Sequence, residues 1–137
     1  MNLKIKLIGG QIPTRAHEHD SGLDLYAASS CVLQPGMTHR VSTGVAVELP
    51  DGFEGQVRPR SSLASKGVYA LLGTIDNGYR GELGVILSNL STERYQVHAG
   101  DKVAQLVICP VALPDIVVVD ELGDTDRGQG GFGSTGR

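Results

Sequence analysis

The sequence predicts an all-β domain, and two observations carry this prediction. Short apolar runs recur between turn signals, and β-branched residues, which favour strands, dominate these runs. No stretch repeats apolar residues at the 3.6-residue spacing of a long helix. A sandwich, a jelly roll or a small barrel is therefore expected. The runs comprise residues 45–49, 85–90, 103–109 and 116–119.

The other predicted elements are short. Residues 1–8 alternate polar with apolar side chains, which predicts a first strand and lacks the continuous apolar core of a signal peptide. One short helix is expected to start near residues 62–66. The pair Asn77-Gly78, between two apolar runs, is typical of a β-hairpin turn.

Length and charge limit the classes of partner. A chain of 137 residues is large enough for one domain with a core but not for two. Its 12 Lys and Arg against 15 Asp and Glu give a net charge of −3, so nucleic acid is not an expected partner. No stretch predicts a membrane span. Cys31 and Cys109 are too few for a disulfide framework and fit the reducing cytoplasm, although two cysteines could form one bridge.

The C-terminal stretch, residues 127–137, combines five glycines with arginine, phenylalanine, serine and threonine. Glycines let backbone N–H groups approach phosphate oxygens, Arg127 can fork onto them, and Phe132 offers a flat face for a base. A mobile arm, residues 123–137, is therefore expected to close over a nucleotide bound to a β core, residues 1–122. The alternative is a disordered, solvating terminus, which Phe132 disfavours because such tails are poor in aromatic residues.

Two polar segments in the first half of the chain have the composition of a ligand site. Asp24 stands between two leucines, so on an alternating strand it faces away from both. Arg60, Ser61 and Ser62 place a guanidinium and two hydroxyls where the helix is expected to begin, and free N–H groups of a first turn bind phosphate. In isolation, a serine at such a place is more simply interpreted as an ordinary N-cap.

Two further segments follow in the second half. Asp76, Tyr79 and Arg80 surround the Asn-Gly pair, for which a plain hairpin is the structural alternative. Gln105 inserts an uncharged amide into an otherwise apolar strand, where it must find a hydrogen-bond partner if it is buried. Each of these segments alone is weak evidence of function.

Taken in order, five segments of the chain resemble the five motifs of the trimeric deoxyuridine triphosphatases (dUTPases), which hydrolyse dUTP to dUMP and pyrophosphate. The resemblance extends from about Leu7 to the C-terminus. A single matching motif could arise by chance, whereas five in the same order are not expected to. The segments are residues 22–27, 59–64, 73–82, 100–106 and 127–136.

The resemblance implies a jelly-roll-like dUTPase fold with one short helix and a flexible, Gly-rich C-terminal arm. It implies a homotrimer whose active sites are shared between subunits. It also implies Mg²⁺ as cofactor, held by the substrate phosphates and by waters without a direct protein ligand. The implied role is to remove dUTP from the nucleotide pool and to supply dUMP for thymidylate synthesis, in the cytoplasm.

The same resemblance implies roles for individual residues. Asp76 is expected to be the general base that activates the water attacking the α-phosphorus, and Gln105 is expected to help hold that water. Asp24 would act from behind the substrate-binding residues or support the sugar from below. Substrate contacts are implied for Arg60, Ser61, Ser62, Ala70, Thr74, Ile75, Asp76, Tyr79, Gly84, Arg127, Phe132, Gly133, Ser134 and Thr135.

Selection of the nucleotide is implied at residues 73–76 and at Gly84, where main-chain atoms grip uracil. The ring of Tyr79 would fill the volume that a 2′-hydroxyl needs, which excludes UTP. Several relatives place an Asn that contacts the base six positions before the catalytic Asp, whereas Ala70 stands there in this chain. Main-chain atoms are therefore expected to read the base.

Two rival functions are considered. The dCTP deaminases share the fold and an Arg-Ser-Ser segment, and Glu82 could be imagined as their catalytic glutamate. Asp76 with Tyr79, and the arm, match the hydrolases better. A nucleotide sensor that controls a partner is the rival from another class, because a fold does not fix a function. The complete set of catalytic residues favours an enzyme over a sensor.

Overall fold

The computed structural model describes residues 1–136. Short strands dominate this part of the chain, and its α-helix has a single turn, so the predicted all-β class is confirmed. The elements are β1 (Lys4–Leu7), β2 (Gly22–Tyr26), β3 (Cys31–Leu33), β4 (Thr38–Glu48), β5 (Phe53–Arg58), α1 (Ser61–Ala64), β6 (Val68–Ala70), β7 (Gly73–Ile75), β8 (Glu82–Asn89), β9 (Tyr95–Val97) and β10 (Lys102–Pro110).

The strands form two antiparallel four-stranded sheets, ordered β1–β4–β8–β6 and β2–β10–β5–β7, together with a two-stranded ribbon of β3 and β9. Apolar side chains of both large sheets belong to one buried cluster, with Leu25 and Leu106 from one sheet and Val45 and Val85 from the other. The core therefore lies between the two sheets, as in a sandwich.

Most predicted elements are present. The first strand is β1, the short helix is α1, and the apolar runs at 45–49, 85–90 and 103–109 lie largely within β4, β8 and β10. The run at 116–119 forms no strand in this chain, so that prediction was wrong. A strand needs a hydrogen-bonding partner, and within residues 1–136 no strand pairs with this run.

The predicted Asn-Gly hairpin was also wrong. The strands that flank Asn77-Gly78 do not pair with each other: β7 pairs with β5, and β8 pairs with β4 and β6. The amide of Asn77 donates to the carbonyls of Pro50 (2.9 Å) and Phe53 (3.0 Å), which ties the turn to the neighbouring loop. The segment therefore crosses from one sheet to the other, and a cleft lies at this crossing.

Strand β4 contains an irregularity that matters for the site. Its pairing with β8 shifts register between Ser42 and Ala46. Gly44 lies within this shift at φ +64°, in the left-handed region that favours glycine, and a Cβ there would stand 2.5 Å from the backbone N of Gly10. The carboxylate of Glu82 on β8 accepts hydrogen bonds at this irregularity from Ser42 and Gly44.

Within residues 1–136, no helix has the length and apolar character needed to cross a lipid bilayer.

Candidate active site

A cleft of about 250 Å³ opens where the chain crosses from β7 to β8. It brings together five of the residues that the sequence assigned to the substrate: Thr74, Ile75, Asp76, Tyr79 and Gly84. Its other lining residues are Arg40, Val57, Gly73 and Glu82. We call this the Asp76 cleft.

Asp76 immediately follows β7, and its side chain is exposed. The N–H of Tyr79 donates to the main-chain carbonyl of Asp76 over 3.0 Å, which closes a tight turn. Among residues 1–136, the carboxylate of Asp76 makes no hydrogen bond or ion pair, unlike the carboxylates of Glu82 and Asp24. It is therefore free to accept a proton or a hydrogen bond from a ligand or a water.

Tyr79 is held in place by the strand that follows it. Its hydroxyl donates to the carbonyl of Glu82 over 2.9 Å, and its ring passes over Gly81, where a Cβ would collide with the phenol. The Glu82 carboxylate is itself anchored, because the hydroxyl of Ser42 and the N–H of Gly44 (3.0 Å) donate to it. These two hydrogen bonds lower the pKa of Glu82 below its ordinary value.

A second polar group surrounds Asp24, and we call it the Asp24 cluster. The Asp24 carboxylate forms ion pairs with Nε of Arg60 at 3.2 Å and with Nζ of Lys102 at 2.9 Å. Arg60 also donates to the hydroxyl of Ser62 (3.3 Å) and to the carbonyl of Lys102 (3.4 Å). One half-buried carboxylate thus fixes two cations, and Asp24 is not among the residues that line the Asp76 cleft.

Ser61 and Ser62 open α1 and are exposed. Arg60, not a serine, occupies the N-cap position, and no side chain caps the helix. The N-cap interpretation of the serines is therefore wrong, and both hydroxyls lie on the surface beside Arg60.

Gln105 finds the partner that its position in an apolar strand requires. Its Nε2 donates to the carbonyl of Pro59 over 2.9 Å, and its side chain lies across Gly22, where a Cβ would collide with Oε1. In the pairing of β10, Gln105 is opposite both Asp24 and Arg58. It therefore belongs beside the Asp24 cluster, and it does not line the Asp76 cleft of its own chain.

Ala70 lies apart from both polar groups. It is 5 % exposed, belongs to the apolar core and does not line the Asp76 cleft. Its methyl group packs in the core beneath β6, the strand that pairs with β8.

The C-terminal arm lies away from the Asp76 cleft in this chain. Residues 123–136 contain no strand or helix and are largely exposed, and none of them lines the cleft. Nε of Arg127 donates to the carbonyl of Gly130 over 2.6 Å, which folds part of the arm onto itself. The assigned arm residues Arg127, Phe132, Gly133, Ser134 and Thr135 do not line the cleft, and none of them forms a hydrogen bond with residues 1–122. Residue 137, which the predicted arm includes, lies outside the described residues.

Sequence reasoning assigned no role in a hydrolase to three residues that the structure places in or beside these groups. Arg40 and Glu82 line the Asp76 cleft, and Lys102 is the second cation on Asp24. Arg40 reaches the cleft from β4, which pairs with β8, and strand pairing of this kind leaves no local signal in the sequence. Lys102 lies at the start of β10, within one of the five motif-like segments, and this position in a motif was the one signal in the sequence that could have indicated a role for it.

Comparison with known proteins identifies the family of the chain. A family model described as dUTPase matches residues 9–136. The deoxyuridine 5′-triphosphate nucleotidohydrolase of Alkaliphilus metalliredigens (strain QYMF) is 49% identical over 98% of this chain and 97% of its own.

Solved structures show the same fold. A mutant dUTPase of Staphylococcus bacteriophage 80alpha, solved with dUpNHpp, has a TM-score of 0.95 at 30% identity and covers 99% of both chains. A mutant dUTPase of phage phi11 of S. aureus, described as coordinating a structural Mg(II) ion, has a TM-score of 0.84 at 31% identity, over 88% of this chain and 98% of that one. The chain therefore belongs to the dUTPase family, whose members hydrolyse dUTP to dUMP and pyrophosphate.

Proposed function

We propose that this chain hydrolyses dUTP to dUMP and pyrophosphate, with the nucleoside bound in the Asp76 cleft. The observation that carries the proposal is the free carboxylate of Asp76 in the same cleft as Tyr79 and Gly84. A carboxylate with no protein partner is available to take a proton from an attacking water.

In the proposed reaction, Asp76 orients a water and takes its proton as the oxygen attacks the α-phosphorus. The bond from that phosphorus to the bridging oxygen breaks, and pyrophosphate leaves with its electron pair. Gln105 holds the same water, and Arg60, Ser61 and Ser62 bind the phosphates, where positive charge and hydroxyl donors stabilise the developing charge. Asp24 supports this step by fixing Arg60 and Lys102, so it is a positioning residue.

Selection of substrate follows from the walls of the Asp76 cleft. The main chain of Thr74, Ile75 and Gly84 presents fixed donors and acceptors to the base, and these reject a base that would leave them unpaired. The ring of Tyr79, held through Glu82, occupies the space beside the sugar and excludes a 2′-hydroxyl. Ala70 offers the base no side-chain amide, so main-chain atoms read the base.

We propose Mg²⁺ as the cofactor, bound through the substrate phosphates and waters. Among residues 1–136, no three His, Cys, Asp or Glu side chains gather as metal ligands, and the Asp24 carboxylate already holds two cations. Arg60, Ser61 and Ser62 would hold the phosphates that carry the ion. When bound, the ion neutralises phosphate charge.

We propose that the active site is shared between subunits of a homotrimer. Arg60, Ser61, Ser62 and Gln105 do not line the Asp76 cleft of their own chain, and neither does the arm. The run at 116–119 offers a contact between chains, because Ile116 and Val118 are 95% and 94% exposed. Such a run of exposed apolar side chains is typical of an association surface.

In this trimer, residues 1–122 form the core and residues 123–137 form a mobile arm. The arm closes over the nucleotide and brings Arg127, Ser134 and Thr135 to the terminal phosphate, with Gly133 permitting close backbone approach. Phe132 stacks on the base; its ring is fully exposed in the described chain and has no competing contact to break. The protein acts in the cytoplasm, where it lowers dUTP and supplies dUMP for thymidylate synthesis.

Glu82 provides an argument against deamination. Its carboxylate already accepts hydrogen bonds from Ser42 and Gly44, which keep it ionised and anchored to β4. A carboxylate that shuttles protons to a base needs to gain and lose its proton readily, and a lowered pKa opposes this. The carboxylate of Glu82 therefore anchors β4, and its main-chain carbonyl holds the hydroxyl of Tyr79.

The proposal is tested by the release of pyrophosphate from dUTP, dCTP, dTTP and UTP, each with Mg²⁺. We expect rapid release from dUTP alone. Ammonia from dCTP would identify a deaminase, and binding of dUTP without any release would identify a sensor. Either result would overturn the proposed function.

A further inference from the structure

Arg40 is a cation that lines the Asp76 cleft and has no part in the reaction proposed above. It lies on β4 opposite Ile86 of β8. Two residues further along β4, Ser42 is opposite Gly84. Its side chain leans towards Gly84: a Cβ built on that glycine would stand 2.5 Å from Cζ and 2.7 Å from one terminal nitrogen of Arg40. The guanidinium therefore lies directly on the backbone of Gly84, and the missing side chain at position 84 makes room for it.

The protein itself uses little of this guanidinium. Among residues 1–136, its one hydrogen bond is a long contact of 3.4 Å to the carbonyl of Glu82, and no carboxylate pairs with it within 4.0 Å. A guanidinium carries five N–H donors and no acceptor. Arg40 is exposed and lines the cleft, so most of its donors remain available to a ligand there.

The chemistry of pyrimidines makes such a donor selective. Uracil carries a carbonyl oxygen, O4, where cytosine carries an amino group. A group that can only donate forms a hydrogen bond with O4 of uracil. Opposite the cytosine amino group, which is also a donor, it forms none, so both groups stay unpaired. Arg40 also lies on Gly84, the glycine assigned to the base, and no side-chain amide is present at Ala70.

We propose that Arg40 is a specificity-determining residue that donates a hydrogen bond to O4 of uracil. This inference rests on the proposed function, because it takes the Asp76 cleft as the nucleoside site. The base is then read by a side chain on β4 in addition to the main chain of residues 73–76 and of Gly84.

The test is a comparison of two ligands that differ at O4, measured by calorimetry on the full chain. The ligands are dUMP and the corresponding pyrimidin-2-one deoxynucleoside monophosphate, which lacks both O4 and the N3–H donor. Because every variant is compared with the parent on the same ligand, the loss of N3–H cancels and the effect of O4 remains. The variants are Arg40→Ala, Arg40→Lys and, as matched control, Arg94→Ala, which removes an exposed arginine that does not line the cleft. Equal melting temperatures of Arg40→Ala and the parent would verify that the fold is intact.

We expect Arg40→Ala to weaken dUMP binding about tenfold, as the loss of one charge-assisted hydrogen bond predicts. Binding of the analogue should change less than about twofold, Arg40→Lys should recover part of the loss, and Arg94→Ala should match the parent. Equal losses for both ligands, or no loss for either, would overturn the assignment to O4. If the parent hydrolyses dUTP and Arg40→Ala binds dUMP as tightly as the parent does, only the role given to Arg40 is wrong. A parent that binds no dUMP rejects the proposed function as well.

Discussion

Nε of Arg60 lies 3.2 Å from Oδ1 of Asp24, and the other oxygen of the same carboxylate holds Lys102 at 2.9 Å. The Asp24 side chain is half-buried, with an exposure of 13%. Two cations therefore converge on one half-buried anion, which fixes the direction in which Arg60 presents its remaining donors.

Replacing Asp24 with Asn should reduce dUTP turnover about tenfold or more, because a neutral amide cannot hold both cations and Arg60 loses its orientation. The free energy of unfolding should fall by about 1–2 kcal/mol, less than for a fully buried pair because water reaches Lys102. Pyrophosphate release and urea unfolding measure the two effects. Glu48→Gln, which breaks the exposed Lys4–Glu48 pair, is the matched control. Equal turnover in the two variants would contradict the role given to Asp24.

Glu82 should give the protein stability that depends on pH. Hydrogen bonds from Ser42 and Gly44 lower the pKa of its carboxyl in the folded state, so the ionised form stabilises the fold at neutral pH. This contribution is complete above the unfolded pKa of about 4.3 and is lost as pH falls through the lower pKa of the folded state.

The Glu82→Gln variant should therefore be less stable than the parent at pH 7, by about 1 kcal/mol, because a neutral amide accepts both hydrogen bonds more weakly. The difference should shrink towards about pH 3. Urea unfolding midpoints at the two pH values check this. A difference in stability that is the same at both would show that the charge of Glu82 has no part in it.

Tyr79 should select the sugar through its ring and not through its hydroxyl. Tyr79→Ala should raise the turnover of UTP relative to dUTP about tenfold or more, because the 2′-hydroxyl gains the space of the ring. Tyr79→Phe loses only the hydrogen bond to the Glu82 carbonyl and should change this ratio much less. The kcat/KM values of both nucleotides provide the measurement. An unchanged ratio in Tyr79→Ala would place sugar selection elsewhere.

The five motif-like segments of the sequence predicted most of the residues that β7 and the following turn bring to the Asp76 cleft, but not the residue that enters from a neighbouring strand. Thr74, Ile75, Asp76 and Tyr79 lie close together in the chain, so a local pattern contains them. Arg40 enters from β4 through the strand register with β8, which depends on pairing between distant residues. No window of sequence carries that information, and Arg40 was therefore missed.

The two wrong predictions about the fold, the Asn-Gly hairpin and the strand at 116–119, have the same physical origin. The Asn-Gly turn was predicted from local preference, but β7 pairs with β5 and β8 pairs with β4, and this pairing between distant segments overrides the hairpin. The run at 116–119 has the composition of a strand but pairs with no strand among residues 1–136. Composition alone does not say whether a partner strand is available.

A chain that ends at Leu122 should still fold and trimerise but lose most of its dUTP turnover. The apolar core contains no residue beyond β10, so the truncation removes none of it. In the proposed mechanism the arm supplies phosphate and base contacts, and without it the site would stay open to water. Sedimentation and pyrophosphate release measure assembly and activity. Full activity in the truncated chain would show that the arm has no part in catalysis.

Sharing of sites gives a sharper test of the arm. If the protein is the proposed trimer, the truncated chain refolded together with full-length Asp76→Asn chains would form trimers in which an intact Asp76 on one subunit meets an intact arm on another. If arms serve neighbouring subunits, the mixture must be more active than the sum of the two proteins refolded separately. Activity no greater than that sum would show that each arm closes over its own subunit's site.

The most direct measurement of the central claim compares the binding and turnover of dUTP in Asp76→Asn. The substitution keeps the shape of the side chain and removes the base, so the account predicts dUTP affinity within about threefold of the parent and turnover lower by a factor of about a hundred or more. Calorimetry in Ca²⁺, which should slow turnover enough for binding to be measured, gives the affinity, and single-turnover pyrophosphate release in Mg²⁺ gives the rate. Turnover near that of the parent would contradict the assignment of Asp76 as the general base in this cleft.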